Sequence, residues 1–328
     1  MKLKRIFTMF VLCMLVLGTT LLMAGCNNGK ITIGVLQVAT HPALDNAYDG
    51  FKKALEDEGF IEGKNIEYNR QNPQGNAANE KAMARTLARK SDLLYGISTS
   101  STRALINSIE DRGKNTPIIF SAVTDPLGSG FVNSLTKPGG NVTGVSDLSD
   151  VKAAINLLKE WDNIDKVGIL YTAGETNSIY QKNLAVEQIE ANGWDAELFT
   201  INQITDINSV VRSIPESVDA LFIPTDNMVA NGIQAVHDAA QNKNLIVVVG
   251  DSAMLEVTGI VSLGVDFFDL GYQAGKMAAG ILKGETNPRD IPVGSALEFP
   301  LIVNQTLANE WGIVIPESLL GKDGVEII

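Results

Sequence analysis

From Ile31 onward the sequence alternates short apolar runs with amphipathic helical segments, and this alternation constrains the fold more than any other feature. One series of alternating elements covers residues 31–147, and a second series of similar length covers residues 151–265. Strands that alternate with helices form parallel sheets covered by helices on both faces. The pattern therefore predicts an α/β chain with two doubly wound parallel-sheet lobes.

The segment after residue 265 is too short for a third lobe. A helix is predicted over Leu270–Lys283 and one further strand over Leu297–Val303. We expect an N-terminal lobe of residues 31–145 plus 267–299, and a C-terminal lobe of residues 146–266 plus 300–328. Three crossings would join the lobes into a three-segment hinge, with a cleft between them. The same periodicity predicts helices over Thr102–Arg112 and Met228–Asn242.

The first residues have the pattern of an export signal. Three basic residues precede the uncharged apolar run Ile6–Met23, and Ala24-Gly25-Cys26 follows. Small residues directly before a cysteine resemble a bacterial lipoprotein signal, which predicts a signal peptide over residues 1–25 and a lipidated Cys26 on a short tether, residues 26–30. An uncleaved anchor helix is the alternative, because eighteen apolar residues are near the lower limit for spanning a bilayer. The lipoprotein reading places the protein outside the cytoplasmic membrane.

Composition and motifs exclude several classes of function. The net charge is −12, which disfavours nucleic acid as a partner. The chain has only two His and two Cys, and Cys13 would be lost with the signal peptide, which leaves fewer than the four ligands of a zinc site of the Cys/His type. Residues 96–100 and 250–254 lack the final Gly of a nucleophile elbow, and there is no Walker A or dinucleotide-binding sequence. We expect no catalytic residues, no metal and no cofactor.

Small polar residues cluster where the predicted strands end. Ligands of open α/β sheets bind beyond the carboxyl ends of the strands, so these residues are the candidate binding site. The same residue types are the preferred helix N-caps, and each one taken alone is better explained as a cap. The candidates are Thr40, His41, Ser98, Thr99, Ser100, Ser101, Thr124, Asp125, Ser146, Asn177, Thr225, Asp226, Asp251 and Asp266.

Several longer stretches resemble a known family. The stretches are 40–45, 59–65, 116–120, 123–126, 137–146, 175–178, 224–227 and 312–316, of which Lys137–Ser146 (KPGGNVTGVS) is the most specific. They resemble the substrate-binding lipoproteins of ABC importers with a type I periplasmic-binding-protein fold, in the branch that includes tryptophan and tyrosine binders. The resemblance implies a two-lobed protein that closes on a small ligand and docks on a membrane permease, and we expect a monomer. The hydroxyl run Ser98–Thr102 departs from the Thr-Pro that the family often has there.

The resemblance, and not the composition, implies an L-amino acid ligand, most often aromatic. We expect the backbone and hydroxyls of Thr99, Ser100 and Ser101 to bind its carboxylate at a helix start. A desolvated ammonium needs a charged partner, for which Asp226 or Asp251 is expected, with Asp125 in reserve. The remaining polar shell would come from Asn177 and Thr225, and Thr40-His41 would border the side chain. A ligand sensor, a lipid-anchored α/β enzyme and a neutral ligand such as a sugar remain alternatives.

Overall fold

The computed structural model describes residues 29–111, 113 and 115–328, which form two α/β lobes. The strands of the first lobe are β1 (Ile31–Gln37), β2 (Ile66–Gln71), β3 (Leu93–Ile97), β4 (Ile118–Ser121), β5 (Val142–Ser146) and β11 (Gly294–Ser295). Its helices are α1 (Pro42–Asp57), α2 (Ala77–Lys90), α3 (Thr99–Glu110) and α10 (Phe267–Leu282). All pairings in this sheet are parallel, in the order β11-β5-β4-β3-β1-β2.

The second lobe repeats this plan with a longer sheet. Its strands are β6 (Lys166–Thr172), β7 (Asp195–Ile201), β8 (Ala220–Ile223), β9 (Ile246–Val249), β10 (Val261–Leu263), β12 (Leu301–Val303) and β13 (Glu326–Ile327). Its helices are α4 (Val151–Asn156), α5 (Thr176–Ala191), α6 (Ile207–Ser213), α7 (Asn227–Asn231), α8 (Ile233–Ala240), α9 (Ser252–Leu255), α11 (Gln305–Trp311) and α12 (Glu317–Leu320). The order is β13-β12-β10-β9-β8-β6-β7, and only the β10–β12 pairing is antiparallel.

The predicted fold class is confirmed, and the reason lies in the central strands. Each is a continuous apolar run that is buried on both faces, as in β8 and β9, where every residue is buried. Strands of this kind suit a parallel sheet covered by helices on both faces. In both lobes the strand order reverses beside the first strand, between β1 and β3 and between β6 and β8. Loops at these positions are where open α/β sheets bind ligands.

Helix α10 packs closely along α1 and completes the first lobe. A Cβ on Gly271 would lie 1.9 Å from the carbonyl oxygen of Ala47, and one on Gly50 would lie 2.0 Å from that of Phe268. Only glycine permits so close an approach of two helix backbones. The small-residue face of this helix therefore brings its N-terminal residue, Phe267, beside the cleft.

Three sequence predictions need correction. Helix α3 begins at Thr99 and not at Thr102, because Ser98 caps it by accepting a hydrogen bond from the Ser101 N–H. The helix predicted over Met228–Asn242 is broken at Gly232, where a Cβ would lie 2.4 Å from the Ile207 side chain.

The strand predicted over Leu297–Val303 is wrong in its first half. The side chain of Leu297 is 76% exposed, and only Leu301–Val303 is strand. The apolar run does not mark one strand, because Phe299 packs on the first lobe's core while Val303 belongs to the second.

The chain passes between the two sheets three times, after β5, after β10 and after β11. The residue numbers at which one lobe ends and the other begins stay a prediction of the sequence. Within the part of the chain that the structure describes, no helix combines the length and the apolar character needed to cross a membrane. The signal segment and Cys26 lie outside the described residues.

Candidate functional site

Three cavities lie between the lobes, at the carboxyl ends of the central strands. The smallest has a volume of about 10 Å³ and is lined from both lobes by Asp147, Asp251, His41, Phe267 and other residues. A second cavity, of about 250 Å³, shares Asn177 with the first. A third, of about 510 Å³, shares Asn227 with it. The small cavity therefore lies between two larger ones along a single inter-lobe groove.

Three buried carboxylates line the small cavity, and two of them, Asp147 and Asp251, have acceptor capacity to spare. Asp147 follows β5, is 4% exposed, and accepts a hydrogen bond of 2.9 Å from the Thr124 hydroxyl. Asp251 follows β9, is 2% exposed, and caps helix α9 by accepting a hydrogen bond of 2.8 Å from the Met254 N–H. Among the described residues, no basic side chain forms an ion pair with either carboxylate.

The surroundings of these two groups oppose their ionisation. Burial raises the pKa of Asp251 to about 6. Burial also raises the pKa of Asp147 to about 6, and the nearby Asp251 carboxylate adds to the shift. A buried carboxylate without a cation is costly, and a cation in this cavity would lower both pKa values again. The cavity is therefore suited to a small, positively charged group.

Asp226 also is a buried helix cap, but its oxygens are fully used within the second lobe. It accepts hydrogen bonds from the Thr172 N–H and hydroxyl, the Ser178 hydroxyl and the Val229 N–H, at 2.6–2.9 Å. Two donors on each oxygen leave little capacity for a ligand. Of the two aspartates expected to pair with an ammonium, Asp251 has free acceptor capacity and Asp226 does not.

Glu175 fixes the start of helix α7 beside the groove. Its carboxylate accepts hydrogen bonds from the N–H groups of Asn227 and Met228, at 3.0 and 2.9 Å. It also accepts from the side chains of Asn177 and Asn227. Burial and the neighbouring Asp226 raise the pKa of Glu175. These contacts hold Asn177 and Asn227, which separate the small cavity from its two neighbours.

The hydroxyl run in the first lobe has a more structural role than the sequence suggests. Ser100 and Ser101 donate to the buried Glu80 carboxylate at 3.0 and 2.8 Å, and Ser98 caps α3. Thr99 differs, because its buried Oγ1 has no hydrogen-bond partner and the residue lines the 250 Å³ cavity. The carboxylate site predicted over Thr99–Ser101 is thus reduced to Thr99 as far as the hydroxyls are concerned.

Direct polar contacts join the lobes around the small cavity. His41 Nε2 lies 3.4 Å from the Asn227 side-chain oxygen, and burial lowers the His41 pKa to about 4, so the ring is neutral. The Gln181 side chain in the second lobe contacts the Thr124 hydroxyl at 3.4 Å. The same amide bonds the hydroxyl and N–H of Thr225. The two lobes are therefore in contact across the groove.

The remaining candidates fall into three groups. Asp125 and Asn177 line the 250 Å³ cavity. Ser146 bonds the Thr124 carbonyl at 3.0 Å, which shapes the loop below the small cavity. Thr40 and Asp266 are exposed: the first accepts from Asn72 and Gln74, and the second caps α10 through the Phe268 and Asp269 N–H groups.

Sequence reasoning missed several residues that line the groove. Asp147 has the same signal as the others, a carboxylate at a strand end, but it lies at the edge of a weak extended segment. Others lie inside helices, where strand-end reasoning does not look: Glu80, Arg103, Tyr180, Gln181 and Phe267. In the described part of the chain, no three His, Cys, Asp or Glu side chains come close enough together to hold a metal ion.

Sequence comparison identifies relatives along nearly the whole chain. Residues 32–325 match the family described as ABC transporter substrate binding protein. The tyrosine-binding protein of Clostridioides difficile is 34% identical over 275 residues, which are 83% of this chain and 78% of that protein. Solute-binding proteins that are far less similar in sequence share the same two-lobed architecture, the type I periplasmic-binding-protein fold.

Two solved relatives differ in how well the whole molecule superposes. An ABC-domain structure from Streptococcus pneumoniae in complex with L-Trp is 34% identical, covers 92% of this chain and 100% of its own, and gives a TM-score of 0.85. A ligand-free, open substrate-binding protein from Clostridium difficile is 33% identical, covers 91% and 99%, and gives 0.67. The lobes here are arranged more like those of the ligand-bound relative, in line with the inter-lobe contacts. The chain belongs to the family of ABC transporter substrate-binding proteins.

Proposed function

We propose that this protein captures an L-amino acid, preferably an aromatic one, in the groove between its lobes. The observation that carries the proposal is the pair of buried carboxylates, Asp147 and Asp251, which face one cavity without a basic partner among the described side chains. The ammonium group of an amino acid supplies the missing cation. It is about as large as a water molecule, and a cavity of about 10 Å³ has room for one such group.

The two larger cavities suit the rest of the ligand. The 510 Å³ cavity carries apolar residues from both lobes, including Val38, Ala39, Ile204 and Met228. Its volume lies within the range of about 300–1,000 Å³ that is usual for small-molecule sites. An aromatic side chain fits there, and the carboxylate points toward the 250 Å³ cavity. The relatives support this ligand class, because one is named for tyrosine and another was solved with L-Trp.

Binding and lobe closure are coupled in this proposal. Because the small cavity is closed by residues of both lobes, an amino acid enters only when the lobes separate. Contacts made to both lobes at once then favour the closed form. The closed protein delivers the ligand to a membrane permease without a chemical step, so no catalytic residue is needed.

The N-terminal sequence supports a location at the outer face of the cytoplasmic membrane. Cleavage before Cys26 and lipidation of its thiol would hold a monomeric protein at the outer face of the membrane. Only four residues separate Cys26 from β1, a span of at most about 14 Å. The folded lobes would then remain close to the permease. Replacing Cys26 by Ser should release the protein from the membrane fraction, and retention at wild-type size would contradict lipid anchoring.

A thermal-shift screen of the purified protein with the twenty amino acids and common sugars tests the ligand class. A ligand at a hundredfold excess over its Kd should stabilise the fold by about 2.7 kcal/mol. We expect L-tyrosine or L-tryptophan to give the largest shift, followed by calorimetry to measure affinity. Stabilisation by sugars alone would contradict the proposal.

A further inference from the structure

The 250 Å³ cavity contains a positive charge that the sequence candidates did not include. Arg103 lies on α3, one turn after Thr99, and lines this cavity together with Asp125 from its own lobe and Tyr180 from the other. Among the described residues, no carboxylate lies within ion-pair distance of its guanidinium. We propose that Arg103 is a specificity-determining residue that binds a carboxylate of the ligand in this cavity. The inference rests on the proposed amino-acid-binding function.

The Arg103 side chain is held in place before any ligand arrives. Its Nη2 donates a hydrogen bond of 2.6 Å to the Ser129 carbonyl, and its guanidinium carbon lies 4.6 Å from the centre of the Phe131 ring. A guanidinium has five N–H donors in a fixed plane, so a single carbonyl leaves donors for a carboxylate. A fixed donor plane loses less entropy on binding than a free side chain would.

A second observation places the carboxylate near the start of α3. Thr99 is 3% exposed, lines the cavity, and has a hydroxyl without a hydrogen-bond partner. A buried hydroxyl without a partner is costly, and a carboxylate oxygen would satisfy it. The N-terminus of this twelve-residue helix also favours an anion. The Thr99 hydroxyl, the N-terminus of α3 and the Arg103 guanidinium therefore all favour an anionic group in this cavity.

One group in the cavity opposes an anion. Asp125 lines it, and its Oδ1 accepts a hydrogen bond of 2.8 Å from the Gly128 N–H. Asp125 lies beyond ion-pair distance of Arg103, so among the described residues no carboxylate is paired with this guanidinium. The carboxylate can belong to the amino acid itself or to the C-terminus of a short peptide whose N-terminal ammonium lies at Asp147 and Asp251.

Paired ligands with and without the carboxylate test the inference. Calorimetry would compare L-tyrosine with L-tyrosinamide, and L-tyrosyl-L-alanine with its amide. We expect the wild type to prefer the carboxylate form in at least one pair, by about tenfold to a hundredfold. Arg103→Gln should abolish that preference. The difference in affinity within the first pair measures binding of an amino-acid carboxylate. The difference within the second pair measures binding of the C-terminal carboxylate of a peptide.

Matched variants separate this inference from the proposed function. Arg89→Gln removes an exposed arginine on α2 and should keep the preference. Asp125→Asn should keep or increase the preference without weakening the binding of L-tyrosine or L-tyrosinamide. A full preference in Arg103→Gln, or no preference in the wild type for either pair, would overturn the inference while L-tyrosine binding still supports the proposed function. Equal loss of tyrosine and tyrosinamide binding in Asp125→Asn would also overturn it, because the ammonium would then lie at Asp125.

Discussion

The loops after β8 and β9 look alike in sequence, yet the structure gives their aspartates different surroundings. Asp226 and Asp251 are both buried, both cap a short helix, and both follow an apolar strand. Asp226 accepts four hydrogen bonds from its own lobe, three of them from Thr172 and Ser178, whereas Asp251 meets only backbone N–H groups at the start of its own helix, with a hydrogen bond of 2.8 Å from Met254. Both line the small cavity together with Asp147, so what distinguishes them is the number of donors that each accepts from the fold.

The difference teaches how a binding carboxylate is distinguished from a structural one. A carboxylate whose lone pairs are filled by fixed donors has little to offer a ligand, even though burial raises its pKa as well, as it does for Asp226. A carboxylate that is equally buried but has few donors is destabilised by burial until a cation arrives. The number of donors that each group accepts is thus more informative than burial or position in the chain.

The largest expected effect is on affinity. Asp251→Asn keeps the cap of α9, because asparagine caps helices as well as aspartate does. Removing the charge should weaken amino-acid binding by about 2–5 kcal/mol. Calorimetry with L-tyrosine or L-tryptophan measures the change, and unaltered affinity would mean that Asp251 is only a cap.

Asp226→Asn should lower the stability of the fold and leave ligand affinity nearly unchanged, the opposite of what we expect for Asp251→Asn. An amide has one acceptor oxygen in place of two, so at least one of the donors from Thr172 and Ser178 loses its partner. We expect a loss of about 1–3 kcal/mol in the free energy of unfolding without ligand. Affinity measured well below the melting temperature should stay close to wild type. A large loss of affinity with unchanged stability would reverse the two assignments.

The pH dependence sharpens the comparison further. In the ligand-free fold, burial raises the pKa of Asp147 and Asp251 to about 6, above the value in the unfolded chain. Between the unfolded and folded pKa values the folded state binds more protons, so these groups make the fold less stable as pH rises through that window. Affinity for an ammonium should change the other way and fall as pH drops below about 6, since a neutral carboxyl cannot pair with a cation.

Thermal unfolding without ligand and calorimetry with L-tyrosine, both followed between pH 5 and 7.5, measure these two trends. Asp251→Asn should reduce the pH dependence of both. If affinity is constant over this range in the wild type, the ligand is not held by groups that titrate there.

The smallest effect is expected for Asp266→Asn, the matched control for both variants. Asp266 is exposed and caps α10 through two backbone N–H groups. Asparagine retains the cap and loses only the interaction of a charge with the helix dipole, about 0.3–1 kcal/mol. Affinity should be unchanged. A loss of binding comparable to that of Asp251→Asn would show that Asp266 also contacts the ligand in solution.

Much of the fold follows from the sequence, because central strands such as β8 and β9 are buried on both faces and leave continuous apolar runs. The errors lie where apolar residues serve two lobes. Phe299 and Val303 form one apolar run in sequence but pack on different cores, so a single strand was predicted across the connection. Gly232 breaks a helix because α6 comes close to it, which no local pattern reveals.

The site was predicted in outline and not in its chemistry. Several of the strand-end residues line the groove, since parallel strands bring their carboxyl ends to one edge. Local sequence does not show how many hydrogen-bond donors reach Asp226. It also does not show that the Glu80 carboxylate accepts hydrogen bonds from the hydroxyls of Ser100 and Ser101. Apart from the helix-capping contact of Val229, these contacts join residues 20 to 54 positions apart and exist only in the folded protein. The proposed roles of Asp147 and Arg103 likewise depend on neighbours that are brought together only in the folded protein.

The central claim is that the Asp147–Asp251 pair binds the ammonium of the ligand. Calorimetry of wild type and Asp251→Asn with L-tyrosine and with 3-(4-hydroxyphenyl)propionic acid, which lacks only the amino group, tests it most directly. The account predicts that the wild type strongly prefers L-tyrosine and that Asp251→Asn loses most of this preference. An undiminished preference in the variant would contradict the claim.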